Sequence, residues 1–158
     1  MVEISNAQLN QSRLCEPILR LLPEWFGIED AIVHYMQEID NLPTLLAWKQ
    51  QQIVGFLSIK HHTQFAAEIY VMAVHPQYHR QGIGNRLVEA AEKNLQRLGV
   101  EYLQVKTLGT SRPNAHYDRT RAFYESVGFK PLEEFLELWE GNPCLQLVKF
   151  LPSNSPPV

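Results

Sequence analysis

Cysteine is scarce in this chain of 158 residues: only Cys15 and Cys144, far apart in sequence. Two such residues cannot make a disulfide framework, and neither has CxxC or Cys/His metal spacing, so reduced thiols in a cytoplasmic protein are expected and no metal is. No apolar run approaches the roughly 20 residues that cross a bilayer, so no membrane partner is expected. The first residues, MVEISNAQLNQ, lack a basic start and an apolar core, and no secretory leader is expected. A positive surplus is missing too. Lys+Arg 14 against Asp+Glu 17 give a net charge of −3, without the bulk attraction that nucleic-acid binders carry, and no nucleic-acid partner is expected. No internal repeat occurs. The one biased stretch is the tail 152–158, whose three prolines favour disorder. What is present is ordinary for a folded domain. With 45% hydrophobic and 20% charged residues, 1–151 suffices for one domain with a sizeable core.

Periodicity divides that domain. Val2–Ile4 reads as a short first strand. Ser12–Leu22 carries apolar residues at 14, 18, 21 and 22, a helical stripe closed by Pro23. Glu29–Asp40 repeats the helical spacing with Ile32, Tyr35, Met36 and Ile39. The period then changes. Thr44–Lys49 and Ile53–His61 read as a hairpin of strands, and Ala67–Val74 as a strand stopped by His75-Pro76. Gly82–Leu98 is the clearest helix, with Ile83, Leu87, Ala91, Leu95 and Leu98 on one stripe and Gly99 as its C-cap. Glu101–Thr107 is a strand, Gly109–Asp118 a polar loop, Arg119–Val127 a short helix and Cys144–Leu151 a last strand. The order predicts a mixed α/β domain on one central sheet.

The chemistry concentrates in Glu68–Leu98, where a strand (EIYVMAV) meets a turn (HPQYHR), a glycine-punctuated step (QGIG) and the long helix. Gly82 and Gly84 lack Cβ, so a ligand can approach the backbone. The helix's first amides are unpaired at the positive end of its dipole, which suits phosphate, and Arg80 could add a charge-assisted contact. The plain alternative is a helix merely started by glycines. Two commoner cradles are excluded. A GxxxxGK[ST] loop needs a lysine that does not follow Gly84, and GxGxxG needs glycine where Leu87 stands.

HRQGIG after VMAVHPQY resembles the acetyl-CoA-binding motif of the GNAT N-acetyltransferases, Arg/Gln-x-x-Gly-x-Gly/Ala. TRAFYESVGF resembles the same family's second signature, a short helix with a tyrosine and then a GF pair. The two stand in the family's order with a strand between, and the likeness spans about Thr44–Leu151. It implies a single GNAT-like domain: a central, mostly antiparallel, twisted sheet, splayed in the middle, with helices on both faces. It implies that Val71–Val74 (Met72, Ala73 and Val74 among them) pairs with the pantetheine arm of acetyl-CoA. It also implies that His79, Arg80, Gln81, Gly82, Ile83, Gly84 and Asn85 hold the pyrophosphate. Tyr124 falls on the family's general-acid tyrosine and Glu68 on a strand position used as general base. The sequence departs in two places. His79 stands where Arg or Gln is usual. Tyr117 stands where an asparagine often contacts pantetheine, with Asn114 one turn earlier.

Acyl transfer to an amine needs a neutral nitrogen, a polarised carbonyl and a proton for the departing thiolate. A free alkyl amine has a pKa near about 10, so a carboxylate must collect its proton. Glu68 alternates with Tyr70, Met72 and Val74 on one strand face; the competing reading is a solvated carboxylate. The Tyr124 phenol can donate to sulfur; the competing reading is a core tyrosine beside Phe123 and Val127. An amide near Met72–Ala73 suits the oxyanion. A covalent route through Cys15 or Cys144 is disfavoured because both lie outside the motifs, so direct attack in a ternary complex is expected. Adjacent His61 and His62 point to opposite strand faces and cannot easily share an ion with His75 or His79; solvated strand-end histidines are expected. Arg112, His116, Asp118, Arg119 and Arg121 form a charged stretch that meets either the cofactor phosphates or solvent. Trp139 reads as a packed turn. The expected partners are acetyl-CoA and an amine, a small molecule favoured over a protein, and such folds commonly pair as homodimers through their last strands. The rival reading is a non-catalytic acyl-CoA-binding or regulatory module of the same fold.

Overall fold

In the computed structural model, which describes residues 1–153, the predicted elements appear in their expected order, with one further strand between the last helix and the last strand. They are β1 (Glu3–Ile4), α1 (Ser12–Arg20), α2 (Glu29–Asp40), β2 (Thr44–Lys49), β3 (Gln52–His61), β4 (Ala66–Val74), a 3-10 turn over Pro76–Tyr78, α3 (Ile83–Arg97), β5 (Tyr102–Leu108), α4 (Ala115–Ser126), β6 (Lys130–Trp139) and β7 (Asn142–Phe150). The disorder expected over 152–158 falls, from 154 onward, outside the described residues. The strands form one seven-stranded sheet in the order β1-β2-β3-β4-β5-β7-β6. β1–β2, β2–β3, β5–β7 and β6–β7 are antiparallel, and β4–β5 is parallel. The expected mixed α/β class, a single domain on one mixed sheet with flanking helices, is observed. No helix among the described residues is long and apolar enough to cross a membrane.

The chain folds as two compact units, Met1–Lys60 with Tyr70–Asn94, and His61–Ile69 with Leu95 onward. In the first, Cys15, Ile18, Leu19 and Leu22 of α1 and its end pack with Ile32 and Ile39 of α2 onto Leu46, Phe56, Val71 and Ala73. Each such Leu, Ile or Phe contributes about 1.5–3 kcal/mol by leaving water. The start of α1 is tied to the end of α2, since the Ser12 amide donates to Asp40 Oδ1 at 3.0 Å. The other sheet face takes α3. A Cβ built on Gly55 of β3 would lie 3.2 Å from Leu87 Cδ1 and 3.3 Å from Ile83 Cγ2, so the missing side chain lets the helix seat on the strand. α3 ends in a Schellman motif: Gly99 has φ +81, its amide donates to Gln96 O, and Val100 N donates to Leu95 O.

In the second unit β7 lies between β5 and β6, paired with β5 from Tyr102↔Phe150 to Leu108↔Cys144. β6 pairs on its other side through a hairpin at Gly141. β6 was not expected. Its sequence, KPLEEFLELW, mixes an early proline and three carboxylates without clean alternation, so pairing with β7 decides its conformation rather than propensity. The last helix begins four residues earlier than expected, at Ala115, because Asn114 caps it. The Asn114 Oδ1 accepts from His116 N at 2.9 Å and Tyr117 N at 3.3 Å.

Both thiols are buried. Burial, aided by the Asp40 carboxylate, pushes Cys15 from 9.0 up to about 12. Burial also pushes Cys144 up, with Glu68 acting the same way and Lys106 opposing. A proton held more tightly when folded stabilises the fold below the unfolded value, and that stabilisation is lost as pH rises through the folded one. Iodoacetamide is therefore expected to leave Cys15 unlabelled in the native protein at neutral pH. The melting temperature should begin to fall above about pH 9, and a Cys15→Ser variant should lose that part of the slope.

Candidate active site

The first unit carries a backbone cradle. After β4, His75 caps the 3-10 turn by accepting from Gln77 N at 3.1 Å, and His79 Nε2 meets Val74 O at 2.7 Å. Both histidines therefore shape the turn. Arg80 (φ +62) and Gly82 (φ +79) then take left-handed conformations on either side of Gln81. A non-glycine residue held there costs energy and marks a turn that the surrounding structure imposes. Nothing lies within 4 Å of where a Gly82 Cβ would stand, so a ligand meets bare backbone. α3 starts at Ile83, which is buried, while Gly84 is half-buried and Asn85 exposed. The leading amides of Ile83, Gly84 and Asn85 have no earlier helical carbonyl to bond. This arrangement suits an anionic group of pyrophosphate size, with Arg80, Gln81 and Gly82 exposed around it. Met72 and Val74 are half-buried and Ala73 is buried on the strand leading in.

The second unit carries a carboxylate cluster. Glu68 is only 7% exposed, unusual for a carboxylate and contrary to the solvated reading. Two groups meet it. His62 Nε2 lies 2.7 Å from Oε1, and the Lys106 ammonium 3.3 Å from Oε2. Parallel pairing explains Lys106: Glu68 stands opposite Gln104, so Lys106, two residues on, shares its face. The Lys106 ammonium also donates to Gln104 Oε1 at 3.4 Å, and Gln146 Nε2 donates to the same oxygen at 2.5 Å. His62 reaches Glu68 through the β3–β4 turn, where its amide donates to Ala66 O at 3.0 Å. Neither neighbour was anticipated. Six residues separate His62 from Glu68 and 38 separate Glu68 from Lys106, and no local spacing signals either approach.

Helix α4 packs against β5 and holds the remaining candidates. Tyr124 is buried, its ring edge-on to Phe123 at 5.3 Å and to Phe129 at 5.6 Å. Those contacts fix the ring's position. Arg121 is also buried. Its guanidinium donates to Leu108 O at 2.5 Å and pairs with Asp118, strapping α4 to the end of β5. Asn114 uses its side-chain oxygen as the cap described above, and Tyr117 is half-buried in the first turn. Arg119 meets His116 Nδ1 at 2.8 Å, and Arg112 bonds Gly141 O and Asn142 at the β6–β7 hairpin.

The family model for the acetyltransferase (GNAT) domain matches residues 40–131, more than half of the chain. The chain belongs to the GNAT acetyltransferase family. This GNAT chain is 32% identical over 83 residues to an uncharacterised N-acetyltransferase, CT2212, of Chlorobaculum tepidum. The matched stretch is 52% of the chain and 46% of that relative, so the chain spans about half the length of the curated relative it matches. Solved structures share the fold at low identity. The ribosomal-protein-S18-alanine N-acetyltransferase of Escherichia coli superposes with a TM-score of 0.78 at 17% identity, covering 100% of this chain and 99% of that one. The PaiA N-acetyltransferase of Thermoplasma acidophilum, solved in complex with coenzyme A, gives 0.73 at 20% identity over 95% and 99%. The GNAT match contains Glu68, the glycine turn and Tyr124.

Proposed function

We propose that this GNAT protein is an enzyme of the cytoplasm that transfers the acetyl group of acetyl-CoA to a primary amine by direct attack. The reading rests on β4. That one strand carries a buried carboxylate near its start and leads directly into the turn suited to pyrophosphate. Backbone amides from His79 to Gly84, with Asn85 at the helix start, hold the pyrophosphate, and Arg80 adds charge. The Val71–Val74 backbone pairs with the pantetheine arm.

The chemistry follows from the charges. An acceptor arrives largely as its ammonium, and Glu68 takes one proton to free the nitrogen lone pair. The nitrogen attacks the thioester carbonyl, the C–N bond forms and the C–S bond breaks. An amide at Met72–Ala73 donates to the carbonyl oxygen while it carries charge. Tyr124 gives its phenolic proton to the departing sulfur, and the second proton, which the nitrogen sheds as the amide forms, restores the phenol. The raised, buried thiols supply no competing nucleophile.

Calorimetric titration with acetyl-CoA, free CoA and NAD tests the cofactor. Binding of both CoA compounds near about 1–100 μM with none for NAD is expected. Absence of CoA binding overturns the reading. Turnover is then read as CoA release with spermidine, kanamycin, tryptamine and an alanine-initiated hexapeptide. Binding without turnover on any of them overturns the enzyme reading in favour of a regulatory acyl-CoA-binding module.

A further inference from the structure

We propose that His62 is the proton exit for Glu68, a relay residue linking the buried base to solvent; this rests on the reading of Glu68 as base. The Glu68 carboxylate has little direct access to water, so a proton collected there must leave through a neighbour before the next turnover. Among the described residues, Lys106 and His62 touch it. Lys106, charged, has three donors and no acceptor, so it can neutralise the carboxylate and cannot take its proton. His62 lies at 2.7 Å with a side chain 34% exposed, and a neutral imidazole nitrogen can accept. Gln104, opposite Glu68 on β5, and Gln146, bonded to Gln104, do not titrate, and burial raises the Cys144 thiol.

The steps balance. The acceptor ammonium loses one proton to the Glu68 carboxylate, leaving a neutral amine and a carboxylic acid. The acid passes that proton from Oε1 to Nε2 of His62 in its Nδ1–H tautomer, giving carboxylate and imidazolium. The imidazolium releases one proton to the buffer, and exchange with solvent restores the starting tautomer. No electrons are exchanged. The Lys106 charge stays fixed throughout and keeps the regenerated carboxylate paired.

The test measures kcat and the acetyl-CoA KM with the fastest amine of the panel above. His62→Gln keeps a hydrogen-bonding side chain at the turn and removes the titrating nitrogen. It is expected to lower kcat by about 10- to 100-fold with the KM within about twofold. His62→Ala should fall similarly and recover about 5-fold or more with added imidazole, a response that a loss of packing would not give. Wild-type turnover in His62→Gln beside a slow Glu68→Gln overturns the relay and leaves the base in place. A slow His62→Ala that imidazole does not rescue also overturns it, reducing His62 to a structural hydrogen bond. If Glu68→Gln turns over like wild type, the base reading itself falls and the relay with it.

Discussion

Tyr124→Phe is expected to lower turnover about 100-fold or more while the acetyl-CoA dissociation constant stays within about twofold. The substitution removes one oxygen and keeps the ring. Since Phe123 and Phe129 hold that ring edge-on, the geometry of α4 should survive. Any loss of stability should stay near about 1 kcal/mol, the net value of one hydrogen bond. The proposed loss lies elsewhere: without the phenolic proton, sulfur must depart as a bare thiolate. Stopped-flow CoA release together with calorimetry separates the two quantities. Unchanged turnover would remove the acid role and leave Tyr124 as a packing residue. Equal losses of binding and turnover would instead assign it to cofactor contact.

Glu68→Gln is expected to reduce kcat by about 100- to 1,000-fold at pH 7, and its signature is the pH dependence. The amide has the carboxylate's shape and cannot accept a proton at neutral pH. The variant then uses only the fraction of acceptor that is already neutral. Because an alkyl amine titrates near about 10, that fraction rises about tenfold per pH unit below it. Residual activity of the variant should climb accordingly, while the wild type flattens. A stability cost accompanies the change. The Lys106 ammonium loses its carboxylate partner at a mostly buried position, and about 1–3 kcal/mol is expected in the melting curve. Parallel pH profiles for wild type and variant would show that Glu68 does not collect the amine's proton.

Much of the fold is legible in the sequence because most elements bury a regular stripe. α3 repeats Ile83, Leu87, Ala91 and Leu95 at helical spacing and stops at a glycine, and each of those four residues is buried. β4 is announced by a run of apolar residues ended at Pro76. The glycine turn is legible for a related reason: the left-handed Gly82 and the unpaired amides after it are local features, set by a few adjacent residues. β6 is the counter-example. Leu132, Leu136 and Leu138 are exposed, so no burial pattern marks it, and only the hairpin with β7 makes it a strand. The early start of α4 turned on one side chain, the Asn114 cap, inside what reads as a polar loop.

The sequence by itself determined the order of every element but β6, the phosphate-suited turn and the identities of Glu68 and Tyr124 as candidates. It could do so because each depends on near neighbours, through hydrogen bonds, periodicity or motif spacing. The tertiary structure alone decided what surrounds them. Glu68 is buried because parallel pairing sets β4 beside β5, which brings Lys106 to one carboxylate oxygen while the β3–β4 turn brings His62 to the other. Arg121, which reads in sequence like a surface cation available to phosphate, is turned inward to Leu108 and Asp118. Charge placement of this kind depends on which strands become neighbours, and long-range pairing leaves no periodic trace along the chain.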